Sequence, residues 1–239
     1  MYSIIIPTLN EEKLLPQLLN SLNFNKDKYK YELIISDGGS TDLTIDIAKK
    51  YADVIIEKQK NNSQNIAMGR NLGAQSSKGN ILIFLNGDVK IENTELFFEE
   101  IKNRFVNGNY LAMTCCVKVF PEEETITDKL FTAFYNYYFH LLNLIGLGMG
   151  RGECQIIKRN IFNEVQGYNE KLAAGEDFDL FRRIRKKGKI LFDRKIVVFE
   201  SPRRYRKNGH LKILFTWLVN SLYIMFKNKS KSKKWEQVR

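Results

Sequence analysis

The sequence predicts an α/β fold, with a mostly parallel central sheet, helices on both faces and an amphipathic helical tail at the C-terminal end. Two observations carry this. Four short apolar runs, at 3–6, 32–36, 54–56 and 81–85, are separated by stretches of helical periodicity. Strands that alternate with helices pair in parallel and carry the helices on their faces. Acidic residues also punctuate the runs: 33–36 ends in Asp37-Gly38-Gly39-Ser40, and 81–85 ends in Asn86-Gly87-Asp88. Open α/β sheets bind ligands at the carboxyl ends of their strands.

Taken in order, 3–6 is the first strand. Asn10 is a suitable N-cap for a helix carrying Leu14, Leu15, Leu18, Leu19 and Leu22, with Pro16 tolerated only near its first turn. The run 32–36 is the second strand, and Ser40 or Thr41 caps a helix through Ala48. A third strand at 54–56 precedes a helix over 65–76, which Gly79 ends before the strand at 81–85. Beyond it the spacing predicts an amphipathic helix over 94–106, a strand over 111–120, a long aromatic helix over 128–147, extended segments at 155–158 and 190–200, and a helix over 176–186. The basic run 228–234 reads as a frayed end.

A chain of 239 residues can bury one large core or two small ones. A net charge of +11 favours an anionic partner: a nucleotide, a phospholipid surface or a nucleic acid. Arg203-Arg204-Tyr205-Arg206-Lys207 is the one basic-aromatic cluster that suggests nucleic acid, and no nucleic-acid-binding pattern surrounds it, so none is expected as a partner. Three cysteines, two of them adjacent, form no disulfide framework and fit a reducing compartment. The first seven residues lack the basic region and long apolar stretch of a secretion signal.

Several residues invite chemistry, each with a plainer alternative. Asp37, before two glycines, could accept hydrogen bonds from a base or ribose, or be a solvated turn residue. Asp88 could hold a hard cation beside diphosphate oxygens, or Asn86-Gly87 could mark a simple turn. Glu176 and Asp177 open a helix that becomes basic; they could complement its dipole, or one could be a general base. Arg70 could meet a phosphate or a structural carboxylate, and Arg203 and Arg204 a diphosphate or a lipid headgroup, or they could lie in a solvated turn.

Two long apolar segments stand out. Thr132, Asn136, His140 and Asn143 form a thin polar stripe on the first, and Thr216, Asn220 and Tyr223 repeat it within 213–226. Both fall short of the roughly 20 clean apolar residues of a spanning helix. The second, with Trp217 and the following lysines Lys227, Lys229, Lys231, Lys233 and Lys234, reads as interfacial on an anionic membrane surface. The alternative is packing on the core or a homodimer contact.

At these residues the chain resembles the family 2 glycosyltransferases, which have the GT-A fold, a Rossmann-like α/β arrangement. The segment from Ile4 to Glu12, the turn from Asp37 to Asp42, Gly69-Arg70-Asn71-Leu72-Gly73 and the Glu176-Asp177 pair follow the family's order over about residues 3–205. The resemblance implies transfer of a sugar, with inversion, from a nucleotide-diphosphate sugar to an acceptor hydroxyl, with Mg²⁺ or Mn²⁺. Carried over, Asp177 is the base, Asp88 the metal ligand and Asp37 the nucleoside contact. Pro7, Asn10 and Glu11 border the nucleotide pocket. Asn86 stands where the family has an aspartate, and its amide oxygen could still accept from ribose or water. No histidine follows the last strand; His210 comes later. The metal requirement therefore stays open, and Arg203 and Arg204 could supply the positive charge.

The expected organisation is a glycosyltransferase domain over 1–207, with a nucleotide-binding half at 1–88 and an acceptor half at 89–207, then a basic tail at 208–239. The expected setting is cytoplasmic, peripheral on the inner face of the cell membrane, with a lipid-linked or membrane-proximal acceptor. Two rivals remain open: a sugar nucleotidyltransferase, for which the segment after the first strand lacks a glycine-rich basic loop, and a non-catalytic membrane-associated scaffold.

Overall fold

The computed structural model describes residues 1–58 and 64–232. The first half alternates as its periodicity demands: β1 (Tyr2–Thr8), α1 (Leu15–Asn23), α2 (Lys26–Tyr29), β2 (Tyr31–Asp37), α3 (Thr44–Ala48), β3 (Val54–Glu57), α4 (Ile66–Gln75) and β4 (Ile81–Leu85). The second half runs β5 (Val89–Ile91), α5 (Thr94–Glu100), β6 (Ala112–Val119), α6 (Ile126–Leu144), β7 (Cys154–Lys158), α7 (Arg159–Glu164), α8 (Glu176–Arg185), β8 (Ile190–Glu200), α9 (Arg203–Asn208) and α10 (His210–Lys227). Among the described residues all strands join one sheet of order β3-β2-β1-β4-β7-β6-β8-β5, in which only β7 and β5 run against the rest.

The sheet's two faces separate by the period of two along each strand. Ile4, Ile6, Leu33, Ile35, Ile81 and Ile83 turn to one side and pack with Leu15, Leu18, Leu19 and Leu22 of α1. Ile5, Ile34, Leu82 and Phe84 turn to the other, against Ala67 and Ala74 of α4 and Leu180, Phe181 and Ile184 of α8. Helix α4 lies so close to β1 that a Cβ on Gly73 would meet Ile5 Cγ2 at 2.3 Å. Cys115 and Cys154 are core residues and Cys116 is half-buried, all free thiols.

Several expectations need correction. Asn10 does not cap α1; it adopts a left-handed φ of 54°, and its Oδ1 accepts from Thr41 N at 2.8 Å. Helix α1 starts later, which puts Pro16 in the first turn, where its missing N–H is harmless. Ser40 and Thr41 do not cap α3, which begins at Thr44, where Asp42 Oδ1 accepts from Thr44 N at 3.0 Å. The predicted helix 94–106 is α-helical only to Glu100 and π-helical over Ile101–Val106. The strand β5 was not expected; it is three residues long and pairs with β8, not with β4.

The polar stripe of α6 faces the protein, not solvent. Asn136 both donates to Val117 O and accepts from Val117 N, each at 3.0 Å, supplying partners for β6 beyond its pairing with β7. Asn143 does the same for Met149, at 2.8 Å in each direction, and pins the loop after α6. In α10, Asn220 accepts from Lys231 N and Ser232 N at 3.0 and 3.1 Å. The segment 228–232 is thus tied back rather than frayed, while Lys233 and Lys234 lie outside the described residues. Fully buried Asp128 clamps the start of both helices, accepting from Arg206 and meeting His210 Nε2 at 2.7 Å. Those partners hold its carboxyl well below the usual range, against the effect of burial. The row of α10 is split, Asn220 buried and Thr216 exposed, and the two helices leave Leu130, Phe134, Tyr137, Leu144, Leu211, Phe215 and Phe226 exposed. No helix among the described residues is long and apolar enough to cross a membrane.

Candidate active site

One edge of the sheet collects the charged strand ends. Thr8 pairs with Asp37, Leu85 with Cys154, and Glu200 with both Val89 and Val119. Two clefts open on this edge. One, of about 730 Å³, lies over the ends of β1 and β4 and is lined by Pro7, Glu11, Gly38, Asn65, Asp88, Glu153, Glu200, Arg203 and Arg204, among others. The other, of about 400 Å³, runs between α6 and α10 to Arg70, Glu176 and Asp177. Ile66, Asn86, Glu153 and Trp217 line both, so the clefts meet.

Asp177 stands in the first turn of α8. Gly175 precedes that turn with φ 79°, and a Cβ there would also meet Ile224 of α10 at 2.5 Å. The carboxylate accepts from Phe178 N at 2.8 Å and Gly152 N at 3.1 Å. Burial, reinforced by the neighbouring Glu176 charge, pushes its pKa up from 3.8 to about 7, while Arg70 pulls the other way. Such a group is about half ionised at neutral pH, and its ionised form is basic enough to take a proton.

The other expected residues divide. Pro7, Glu11, Asn86, Asp88, Arg203 and Arg204 line the larger cleft. Arg203 donates to Asp88 at 3.1 Å and reaches Glu11 at 3.5 Å, so the start of α9 meets the segments after β1 and β4 across the cleft. Asp37 is placed differently. It is 1% exposed and accepts from Thr8 Oγ1 at 3.0 Å and from the backbone of Gly39 and Ser40 at 2.8 and 2.7 Å. It shapes the rim, as Asn10 does, rather than facing the cleft.

Arg70 follows the structural alternative. It is fully buried and donates to Glu176, Asn86 and Gly152 O, each at 2.9 Å. One guanidinium thus ties α4, the end of β4 and the first turn of α8 together beneath Asp177. The Asn86 oxygen expected for ribose or water accepts from Arg70 and keeps a second lone pair. His210 is bonded to Asp128 and stacked on Tyr205, and it lines neither cleft.

Sequence reasoning missed Arg151, Glu153 and Glu200, and gave Trp217 only an interfacial role where it lines both clefts. Buried Arg151 donates to Glu153 at 3.1 Å and Glu200 at 2.6 Å. Burial pushes Glu200 up to about 7, with Arg151 opposing and Glu153 adding to the rise, while against burial Arg151 holds Glu153 below its usual value. Glu200 ends a strand, the same signal that singled out Asp37. Nothing in the local pattern marks Arg151 or Glu153.

The family model described as Glycosyl transferase family 2 matches residues 3–166. The chain belongs to that family. Among family 2 relatives, it is 28% identical over 145 residues to poly(ribitol-phosphate) beta-N-acetylglucosaminyltransferase TarS of Staphylococcus aureus, covering 54% of this chain and 25% of TarS. It is 37% identical over 112 residues to 4,4'-diaponeurosporenoate glycosyltransferase of Staphylococcus haemolyticus, covering 45% of this chain and 29% of that protein. The chain therefore spans about a quarter to a third of the length of these curated relatives. The mannosyltransferase PcManGT of Pyrobaculum calidifontis, solved with GDP-Man and Mn²⁺, shares the fold at TM-score 0.67 and 19% identity, over 88% of this chain and 61% of its own. TarS 1–349 with UDP-GlcNAc superposes at TM-score 0.61 and 18% identity, over 94% and 73%. The expected GT-A arrangement is the one observed.

Proposed function

We propose that this chain transfers a sugar from a nucleotide-diphosphate sugar to an acceptor hydroxyl, with inversion, using Asp177 as the base. The observation that carries the reading is the Asp177 carboxyl, raised to about 7, at the end of an apolar cleft that joins a second cleft where Arg203 and Arg204 stand among carboxylates. The nucleotide lies over β1 and β4, its diphosphate toward Arg203 and Arg204. The acceptor oxygen gives its proton to Asp177 as it bonds to the anomeric carbon, and the electron pair of the breaking bond passes to the diphosphate. A single displacement inverts that carbon. Residues 1–88 supply most of the nucleotide side, and 89–207 with α10 supply the acceptor side.

Mn²⁺ or Mg²⁺ fits this site in one manner. Asp88 faces the cleft beside Arg203, and no group of three metal-ligating side chains exists among the described residues. Hard cations of this kind accept one protein carboxylate when phosphates and water complete the shell. When bound, the ion would neutralise charge on the departing diphosphate. Asp88→Ala is therefore expected to lose the Mn²⁺-dependent part of nucleotide affinity. Thermal shift with UDP- and GDP-sugars, each with and without Mn²⁺, reads this, because a ligand that binds the native state raises Tm. If wild type responds to no sugar nucleotide, the transferase reading fails; equal responses in Asp88→Ala remove only the metal assignment.

We place the protein peripherally on the cytoplasmic face of an anionic membrane. The exposed apolar row of α6 and α10, followed by Lys227, Lys229 and Lys231, supports this. Because α10 buries Ile224 and Asn220, point changes test the idea better than truncation. Phe215→Asp with Phe226→Asp is expected to abolish flotation with phosphatidylserine vesicles at low salt, and equal flotation of variant and wild type would contradict it.

A further inference from the structure

The cleft that ends at Asp177 has walls of a different character from its floor. Tyr138 and Leu142 of α6 face Leu214, Leu218, Leu222 and Met225 of α10 across it. The lining is mostly apolar; its polar members include Tyr138, Arg182 and Ser221, and others are already engaged: Arg70 holds Asn86 and Glu176, and Asn220 holds the 231–232 backbone. A carbohydrate acceptor would present hydroxyls to walls that offer them few partners, and an unpaired buried polar group is costly. A hydrocarbon chain would meet walls of matching chemistry, in a volume of the size usual for small-molecule sites.

The outer end of the cleft continues the same character. Leu218 and Leu222 are 47% and 43% exposed at its rim, and Phe134 across from them is 54% exposed. They run into the exposed row of both helices. A chain leaving the cleft would therefore pass along apolar surface rather than into water.

We infer that the α6–α10 cleft is a subsite for the hydrocarbon chain of an amphiphilic acceptor, whose hydroxyl it delivers to Asp177. The inference rests on Asp177 being the base, as proposed above. Three features argue for this occupant: continuity with the carboxylate, the mainly apolar lining, and the apolar exit. Trp217 reports on the site. It lies where the two clefts meet, its ring edge-on to Tyr135 at 5.2 Å.

The test uses n-alkyl β-D-glucosides, from methyl to dodecyl and below micelle formation, titrated against the full chain by tryptophan fluorescence. Trp235, which lies outside the described residues, is replaced by phenylalanine so that Trp217 alone emits. Affinity is expected to rise about fourfold for each methylene that enters the cleft. Leu218→Asp and Leu222→Asp, at partly exposed positions that leave the core intact, are expected to flatten this dependence while Mn²⁺-UDP binding by thermal shift stays unchanged. Equal affinity for methyl and octyl glucoside, or unchanged chain-length dependence in both variants, overturns the subsite. If sugar nucleotides bind without any chain-length effect, the subsite alone fails. If the chain-length effect appears without any sugar-nucleotide binding, the transferase reading fails and takes the acceptor role with it.

Discussion

Asp177→Asn is expected to lower sugar transfer by about 10²–10⁴-fold, the usual loss when a general base is removed. Sugar-nucleotide affinity should stay within about twofold, because a group acting on the acceptor proton in the transition state contributes little to donor binding. Isothermal titration and initial rates on the same preparation separate the two, and transfer within a few-fold of wild type would remove Asp177 from the role. The same residue makes a stability prediction of definite sign. Its folded pKa is raised from 3.8 to about 7, so its contribution is fully present at acid pH and is lost as pH rises through about 7. The asparagine variant, which never ionises, should therefore gain in Tm relative to wild type above pH 7 and not below pH 4.

Arg70→Ala is expected to destabilise the fold by about 3–5 kcal/mol, the range for breaking a buried pair from one side. The side chains of Arg70 and Glu176 are 1% and 9% exposed, so water cannot replace the lost partner. Asn86 Oδ1 and Gly152 O would lose their donor as well. For a chain of this size the loss is roughly 10 °C in Tm by circular dichroism. Adding Glu176→Gln to the variant should recover part of it by removing the stranded charge. An Arg70→Ala protein that melts with wild type would show that the pair contributes nothing.

The fold was legible where burial alone decides structure. The run 81–85 has no polar residue and can only be a strand buried on both faces, and Leu15, Leu18, Leu19 and Leu22 can only be one side of a helix. It was illegible where a side chain serves a distant backbone. Asn10 has the chemistry of a cap, yet its partner is Thr41, across the loop. β5 is short, and its pairing with β8 is set by chain more than 100 residues away. The polar row of α6 could be seen but not placed, because only the folded structure shows that the Val117 and Met149 backbones need partners.

The site divides in the same way. Asp88 and Asp177 stand out because each ends an apolar run or opens a helix, and both line the clefts. Arg70 could not be assigned, since a guanidinium suits phosphate and carboxylate alike; its buried partners decide for carboxylate. Glu153 and Arg151 lie in an irregular stretch where no periodicity exposes them, and their meaning comes from Glu200, which the sheet brings alongside.

Two carboxyls in the joined clefts, those of Asp177 and Glu200, titrate near 7, so the pH dependence of kcat/KM in wild type and Glu200→Gln tests the central claim most directly. With Asp177 as the base, log kcat/KM falls with a slope of about one per pH unit below about 7, and this limb persists in Glu200→Gln. A limb that vanishes in Glu200→Gln, with Asp177→Asn still active, would contradict the account.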